Sequence, residues 1–180
     1  MTNKAIRTLV LAALFAALTC VATMVIQIPS PMNGYVNLGD CFVLLAGWVL
    51  GPLYGSLAAG IGSALADMFT GYMHYAPGTF LIKAVMALIA WAVAKALIAR
   101  FGGKRTLCKG ISAVLAELFM VVGYYLYAGL LLGKGLGALG AAASIPFNLV
   151  QGAVGAVVAV LLSHIIDRYH LLRKFGVNEL

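Results

Sequence analysis

Glu117, Lys83, Asn148 and Gln151 stand inside stretches of sequence that otherwise carry almost no polar side chain. On a helix, residues three, four or seven apart share a face. Asn148 therefore pairs with Gln151 and Thr79 with Lys83, while Glu117 lies two turns from Tyr124. Asp67, His74 and Tyr75 add an acid, an imidazole and a phenol near the ends of neighbouring stretches. Amides that donate and accept, aromatic faces and a charge of each sign suit a small polar ring rather than a bare ion or a lipid. They are poor tools for breaking bonds. Ser63 has no histidine at matching depth, because His164 falls near the far end of the last apolar stretch and His74 in a connection. Cys20, Cys41 and Cys108 form neither a Cys-x-x-Cys pair nor a metal-ligand spacing. The stretch 129–135 is one residue short of a nucleotide P-loop, and no Ser or Thr follows Lys134. The chain is expected to be no enzyme and to hold no metal or cofactor.

The stretches that must position these groups read as membrane spans. Of 180 residues, 63% are hydrophobic and 9% charged, where a soluble domain has about half and a quarter. The apolar runs are long enough for a hydrocarbon layer about 30 Å thick. A net charge of +7 is scattered over helix ends, which excludes a nucleic-acid footprint and fits attraction to an anionic leaflet. Lys4 and Arg7 precede the first run, Arg100, Lys104, Arg105 and Lys109 mark one connection, and Arg168, Arg173 and Lys174 mark the tail. The other connections hold Lys134 alone. Basic residues stay cytoplasmic, so both termini and the 100–109 connection are expected inside.

That orientation sets the number of crossings. Residues 41–68 as one helix would be about 42 Å long, and Gly51-Pro52 interrupts them. The first helix ends outside and the helix ending at Arg100 must begin there, so the region between makes two passes. The sequence predicts six helices, at about 5–27, 40–51, 53–68, 79–100, 107–131 and 143–171. Outer loops are expected at 28–39 and 69–78, and a flexible glycine-rich linker at 133–137. Residues 1–180 thus form a single all-α integral membrane domain.

Plainer roles compete for several residues. Asp40 is placed to cap a helix, the tyrosines at 72, 75, 124, 125 and 127 could form an interfacial belt, and Lys83 could snorkel. Asn148 and Gln151 could join helices. Glu117 is harder to set aside: a carboxylate so deep must be paired, protonated or facing a wet cavity, and Lys83 is its charged candidate partner. Glycines at 47, 51, 55, 60 and 62 suit internal packing. The first helix carries Ala12-x3-Ala16 and Ala13-x3-Ala17, a smooth face wide enough to dock a second membrane protein.

The chain resembles the substrate-binding S components of energy-coupling factor (ECF) vitamin transporters. The likeness rests on size, the six helices with both ends inside, the alanine stripe at 12–17 and the stretch Gly34-Tyr35-Val36-Asn37-Leu38-Gly39-Asp40. Ala66-Asp67, Ala76-Pro77-Gly78-Thr79-Phe80-Leu81-Ile82-Lys83-Ala84 and Pro146-Phe147-Asn148-Leu149-Val150-Gln151-Gly152 extend it. The resemblance implies a prokaryotic plasma-membrane protein that binds one vitamin or precursor from outside, in a pocket of the last three helices capped by the first outer loop. It implies partners too: a transmembrane coupling subunit docked on Ala12, Ala13, Ala16 or Ala17, and two ATPase subunits whose cycle topples the S component. The pyridoxine and hydroxymethylpyrimidine types look nearest, with riboflavin or pantothenate as alternatives. The substrate-binding set on this reading is Asn37, Asp67, His74, Tyr75, Lys83, Glu117, Tyr124, Asn148 and Gln151. The rival from another class is a small autonomous secondary carrier, to which the lack of an inverted repeat gives little support.

Overall fold

The computed structural model describes residues 3–30, 34–137 and 140–169. The basic tail residues Arg173 and Lys174, and residues 31–33 of the first outer loop, lie outside them. Helix α1 (Asn3–Val25) is followed by strands β1 (Gln27–Ser30) and β2 (Gly34–Asn37), then by α2 (Gly39–Phe69), α3 (Ala76–Phe101), α4 (Arg105–Leu126) and α5 (Ile145–Arg168). A π turn, Tyr127–Leu131, extends α4, and a 3-10 turn, Ala141–Ser144, leads into α5. Among the described residues, five helices are long and apolar enough to cross a membrane. Val25, Leu53, Leu81, Val150 and Val157 lie on the surface, each at least 60% exposed. Such a surface suits hydrocarbon rather than water.

Two expectations change. The first outer loop is not irregular: β1 and β2 form an antiparallel hairpin in which Gln27 pairs with Asn37 and Pro29 with Tyr35. Proline at a two-stranded edge costs no ladder bond it was required to donate, so the Pro29 that ends α1 is compatible with a strand. The 133–137 linker is also less free than its glycines suggest. It turns back on the π turn, with Lys134 N donating to Ala128 O at 3.1 Å and Gly135 N to Gly129 O at 3.2 Å. Gly133 and Gly135 take positive φ to do so.

Helix α2 breaks where the sequence predicts. Gly51 has φ 79° and ψ −169°, outside the helical region, and Pro52 follows it. The two halves fold back on each other: a Cβ built on Gly55 would lie 2.4 Å from the Ala46 carbonyl oxygen. In a straight helix those residues would be about 13 Å apart. Glycine permits equally close approaches elsewhere, Gly47 against the Ala87 carbonyl of α3 and Gly62 against the Ala16 carbonyl of α1. Around them Leu44, Trp48, Met86 and Met120 fill a core shared by α2, α3 and α4.

The Gly62 contact separates the two alanine registers. Ala12 and Ala16 are half-buried against the core, whereas Ala13 and Ala17 are exposed. A third correction concerns Lys109, read as part of an internal connection. It lies within α4 and is buried, binding Ser163 at 2.8 Å and the Asp167 carboxylate at 2.9 and 3.0 Å. This pair ties α4 to α5 and leaves Arg100, Lys104 and Arg105 as the basic cluster of that turn.

Candidate functional site

A cavity, open at its mouth, lies between the hairpin and the helices. It draws residues from all five helices and one strand: Thr23 of α1, Tyr35 and Asn37 of β2, Ser63 and Asp67 of α2, and Thr79 and Lys83 of α3. Tyr75 precedes α3, Tyr124 comes from α4, Ser144 precedes α5, and Asn148 and Gln151 come from its first two turns. The helical spacings therefore bring Thr79 with Lys83 and Asn148 with Gln151 to one place, whereas of Glu117 and Tyr124 only Tyr124 lines it. The wall is wider than the last three helices, because α1, the hairpin and the second half of α2 all contribute.

The floor is a charged network. Lys83 is ion-paired with Asp40, the two being 2% and 0% exposed. Gln151 donates from Nε2 to the other Asp40 oxygen at 2.7 Å. Its Oε1 accepts the Asn37 backbone N–H at 2.9 Å. Asn37 Oδ1 in turn accepts from Gly39 N at 2.8 Å. One chain of bonds thus runs from a buried ion pair, through an amide, to the end of the hairpin. Lys83 also sits 5.4 Å from the centre of the Tyr124 ring. Asp40 is not the helix cap its position suggested, and the cap position Leu38 has no side-chain bond. Sequence reasoning left Asp40 out of the site, although an acid beginning one apolar stretch and a lysine inside another were a signal for it.

The mouth is aromatic. Tyr35 donates to Asp67 Oδ1 at 2.5 Å and packs on Tyr72 at 4.7 Å between ring centres. Burial first, then the Asp67 charge, hold the Tyr35 phenol well above its ordinary range, so it stays a donor. Burial and Asp67 likewise push Tyr75 up to about 12. Lys134 bonds the Tyr75 hydroxyl at 2.7 Å, and burial lowers its own pKa. Tyr124 donates to Thr79 Oγ1 at 3.1 Å, and its ring meets Tyr75 edge-on at 6.3 Å. Tyr35, Thr23 and Ser63 were missed as lining residues. Nothing in a single sequence marks which face of α1 or α2 turns toward a cavity.

Two residues of the expected set stand apart from the lining. His74 is exposed, its ring beside Tyr75 at 4.9 Å, while its backbone oxygen accepts from Tyr127 at 2.9 Å. Glu117 does not pair with Lys83, which Asp40 takes. It is 5% exposed and packs against Gly152 and Gly155, and neither carboxyl oxygen reaches a hydrogen-bond partner among the described residues. Asp40 abuts the same Gly155. Glu117→Gln keeps the shape and removes no direct bond, so ligand affinity should hold within about twofold, well under 1 kcal/mol. Calorimetry on the detergent-purified variant checks this.

A family model described as ECF-type riboflavin transporter, S component, matches residues 3–168. The chain belongs to this S-component family. Relatives extend the match: an uncharacterized protein of Pyrococcus woesei is 36% identical over 149 residues, covering 82% of this chain and 93% of that one. The thiamine precursor transporter HmpT of Lactococcus lactis is 29% identical over 177 residues, 97% and 96% of the two chains. The fold agrees with the S component of a bacterial ECF transporter at TM-score 0.72 and 24% identity, over 92% of this chain and 98% of that one. It also agrees with the S component for biotin from an ECF-type ABC transporter, at TM-score 0.61 and 18% identity, over 97% and 95%. This S component is thus an integral membrane protein of vitamin uptake, not an enzyme, and its kind works with an ECF module of transmembrane and ATPase subunits.

Proposed function

We propose that this S component binds a small heterocyclic vitamin precursor of the hydroxymethylpyrimidine or pyridoxine type from the outer face of the membrane. The observation that carries the reading is the cavity, walled by tyrosines and hydrogen-bonding side chains and closed by the hairpin. Its lining suits one polar ring with hydroxyl or amino substituents. Likeness over nearly the full length to a protein named for thiamine precursor transport supports the same class.

The chain crosses six times as one domain, with both ends in the cytoplasm. The fold-back at Gly51 divides α2 into two short passes, and Arg7, Arg100, Lys104, Arg105 and Arg168 then share the inner side. Ala13 and Ala17, exposed on α1, form the surface for the transmembrane coupling subunit. Two ATPase subunits attached to that subunit drive the toppling that turns the cavity inward.

Reconstitution tests the reading. Vesicles holding the S component with its module and internal ATP should accumulate labelled hydroxymethylpyrimidine, and the chain alone should bind it without net uptake. Uptake by the chain alone, driven by an ion gradient, would overturn the coupling and favour an autonomous carrier.

A further inference from the structure

The floor and the mouth of the cavity differ in what they leave unmatched. Lys83 is matched by Asp40, and Gln151 is spent on Asp40 and Asn37. Two lining groups each hold a buried polar atom that is not matched. Asp67 Oδ2 and Ser63 Oγ are both buried, in residues 3% and 2% exposed, and neither meets a hydrogen-bond partner among the described residues. They are four residues apart on the second half of α2, so they face the cavity side by side. A buried polar atom left unmade is costly, so the groups that complete it are strongly selected.

We infer that Asp67 and Ser63 are the specificity-determining residues of this cavity, and that they read a donor beside an acceptor, the exocyclic N–H and adjacent ring nitrogen of a 4-aminopyrimidine. The inference rests on the reading that this cavity holds a small vitamin precursor. Asp67 Oδ1 is already occupied by Tyr35, so Oδ2 accepts a single N–H, and the Ser63 hydroxyl donates to the neighbouring ring nitrogen. In pyridoxine the carbons beside the ring nitrogen carry a methyl group and a hydrogen, so a ring that meets Ser63 through that nitrogen offers Asp67 no donor. A carboxylate-bearing vitamin fares worse. The lysine of the lining is neutralised by Asp40, and the group the carboxylate would meet at Asp67 is a second acid. Asn148, three residues from Gln151 on the same face and also lining the cavity, is free to take a hydroxymethyl group.

The test compares two pyrimidines and two variants, with pyridoxine, pantothenate and riboflavin as competing ligands. Affinities of the full chain in detergent are measured by calorimetry for hydroxymethylpyrimidine and for the same pyrimidine without its 4-amino group. Loss of a hydrogen bond to a carboxylate should weaken binding at least about tenfold in the native protein. In Asp67→Ala the two ligands should differ by less than about threefold, because the amino group has lost its partner. Ser63→Ala, a smaller change, should weaken both pyrimidines by a similar factor and leave the contribution of the 4-amino group in place. Equal binding of the two pyrimidines by the native chain overturns the inference, with no variant required. Tighter binding of pyridoxine, pantothenate or riboflavin also overturns it while leaving the vitamin-binding role intact. Binding of none of these overturns both.

Discussion

Asp40→Ala should cost the fold about 3–5 kcal/mol, the largest loss expected from any single side chain here, because it strands a buried ammonium. Lys83 is 2% exposed and Asp40 fully buried, so neither charge has water to fall back on. Gln151 loses its acceptor in the same variant, and with it the anchor that holds Asn37 and the hairpin. Lys83→Ala should be comparably damaging, since it leaves the carboxylate unmatched. The double variant Asp40→Leu with Lys83→Met removes both charges and should melt above either single one, within about 1 kcal/mol of the native protein. Thermal melts followed by circular dichroism in detergent distinguish these outcomes. If Asp40→Ala melts like the native chain, the ion pair is not the anchor of the floor. The Lys109–Asp167 pair offers a contrast: Asp167 is partly exposed, so water can solvate what a broken pair leaves behind, and its loss should cost less.

The elements of this fold were legible because each is marked by its own residues. Pro29 ends α1, Gly51-Pro52 breaks α2, and Pro77 and Pro146 sit in the first turns of α3 and α5, where a proline's missing N–H does no harm. Pairs set by helical spacing were legible for the same reason, so Thr79 with Lys83 and Asn148 with Gln151 do reach one cavity. Partnerships between helices were not. Choosing between Asp40 and Glu117 for Lys83 depends on how α2 and α4 are rotated about their axes, and helices apolar on nearly every side carry little pattern to fix that rotation. The same ambiguity hid Ser63 in a glycine- and alanine-rich stretch and placed the belt tyrosines and the pocket tyrosines in one class. The hairpin escaped because its strands are four residues each, with no run of alternating side chains to announce them.

The alanine stripe is the case where structure adds what periodicity could not. Two registers one residue apart look equivalent in sequence, yet α1 turns Ala16 onto Gly62 and leaves Ala13 and Ala17 exposed. Replacing Ala13 and Ala17 by leucine should therefore abolish co-purification with the transmembrane coupling subunit. Overpacking costs about 1–3 kcal/mol at each position, which together weakens docking about thirtyfold or more. Leucine is as much at home in lipid as alanine, and neither site lines the cavity, so calorimetric affinity for the vitamin precursor should not change. Leucine at Ala12 and Ala16 should do the reverse, driving α1 away from α2 and lowering the melting temperature of the S component alone. Retention of docking by the Ala13, Ala17 variant would move the partner to a different face of the bundle, whatever the cavity binds.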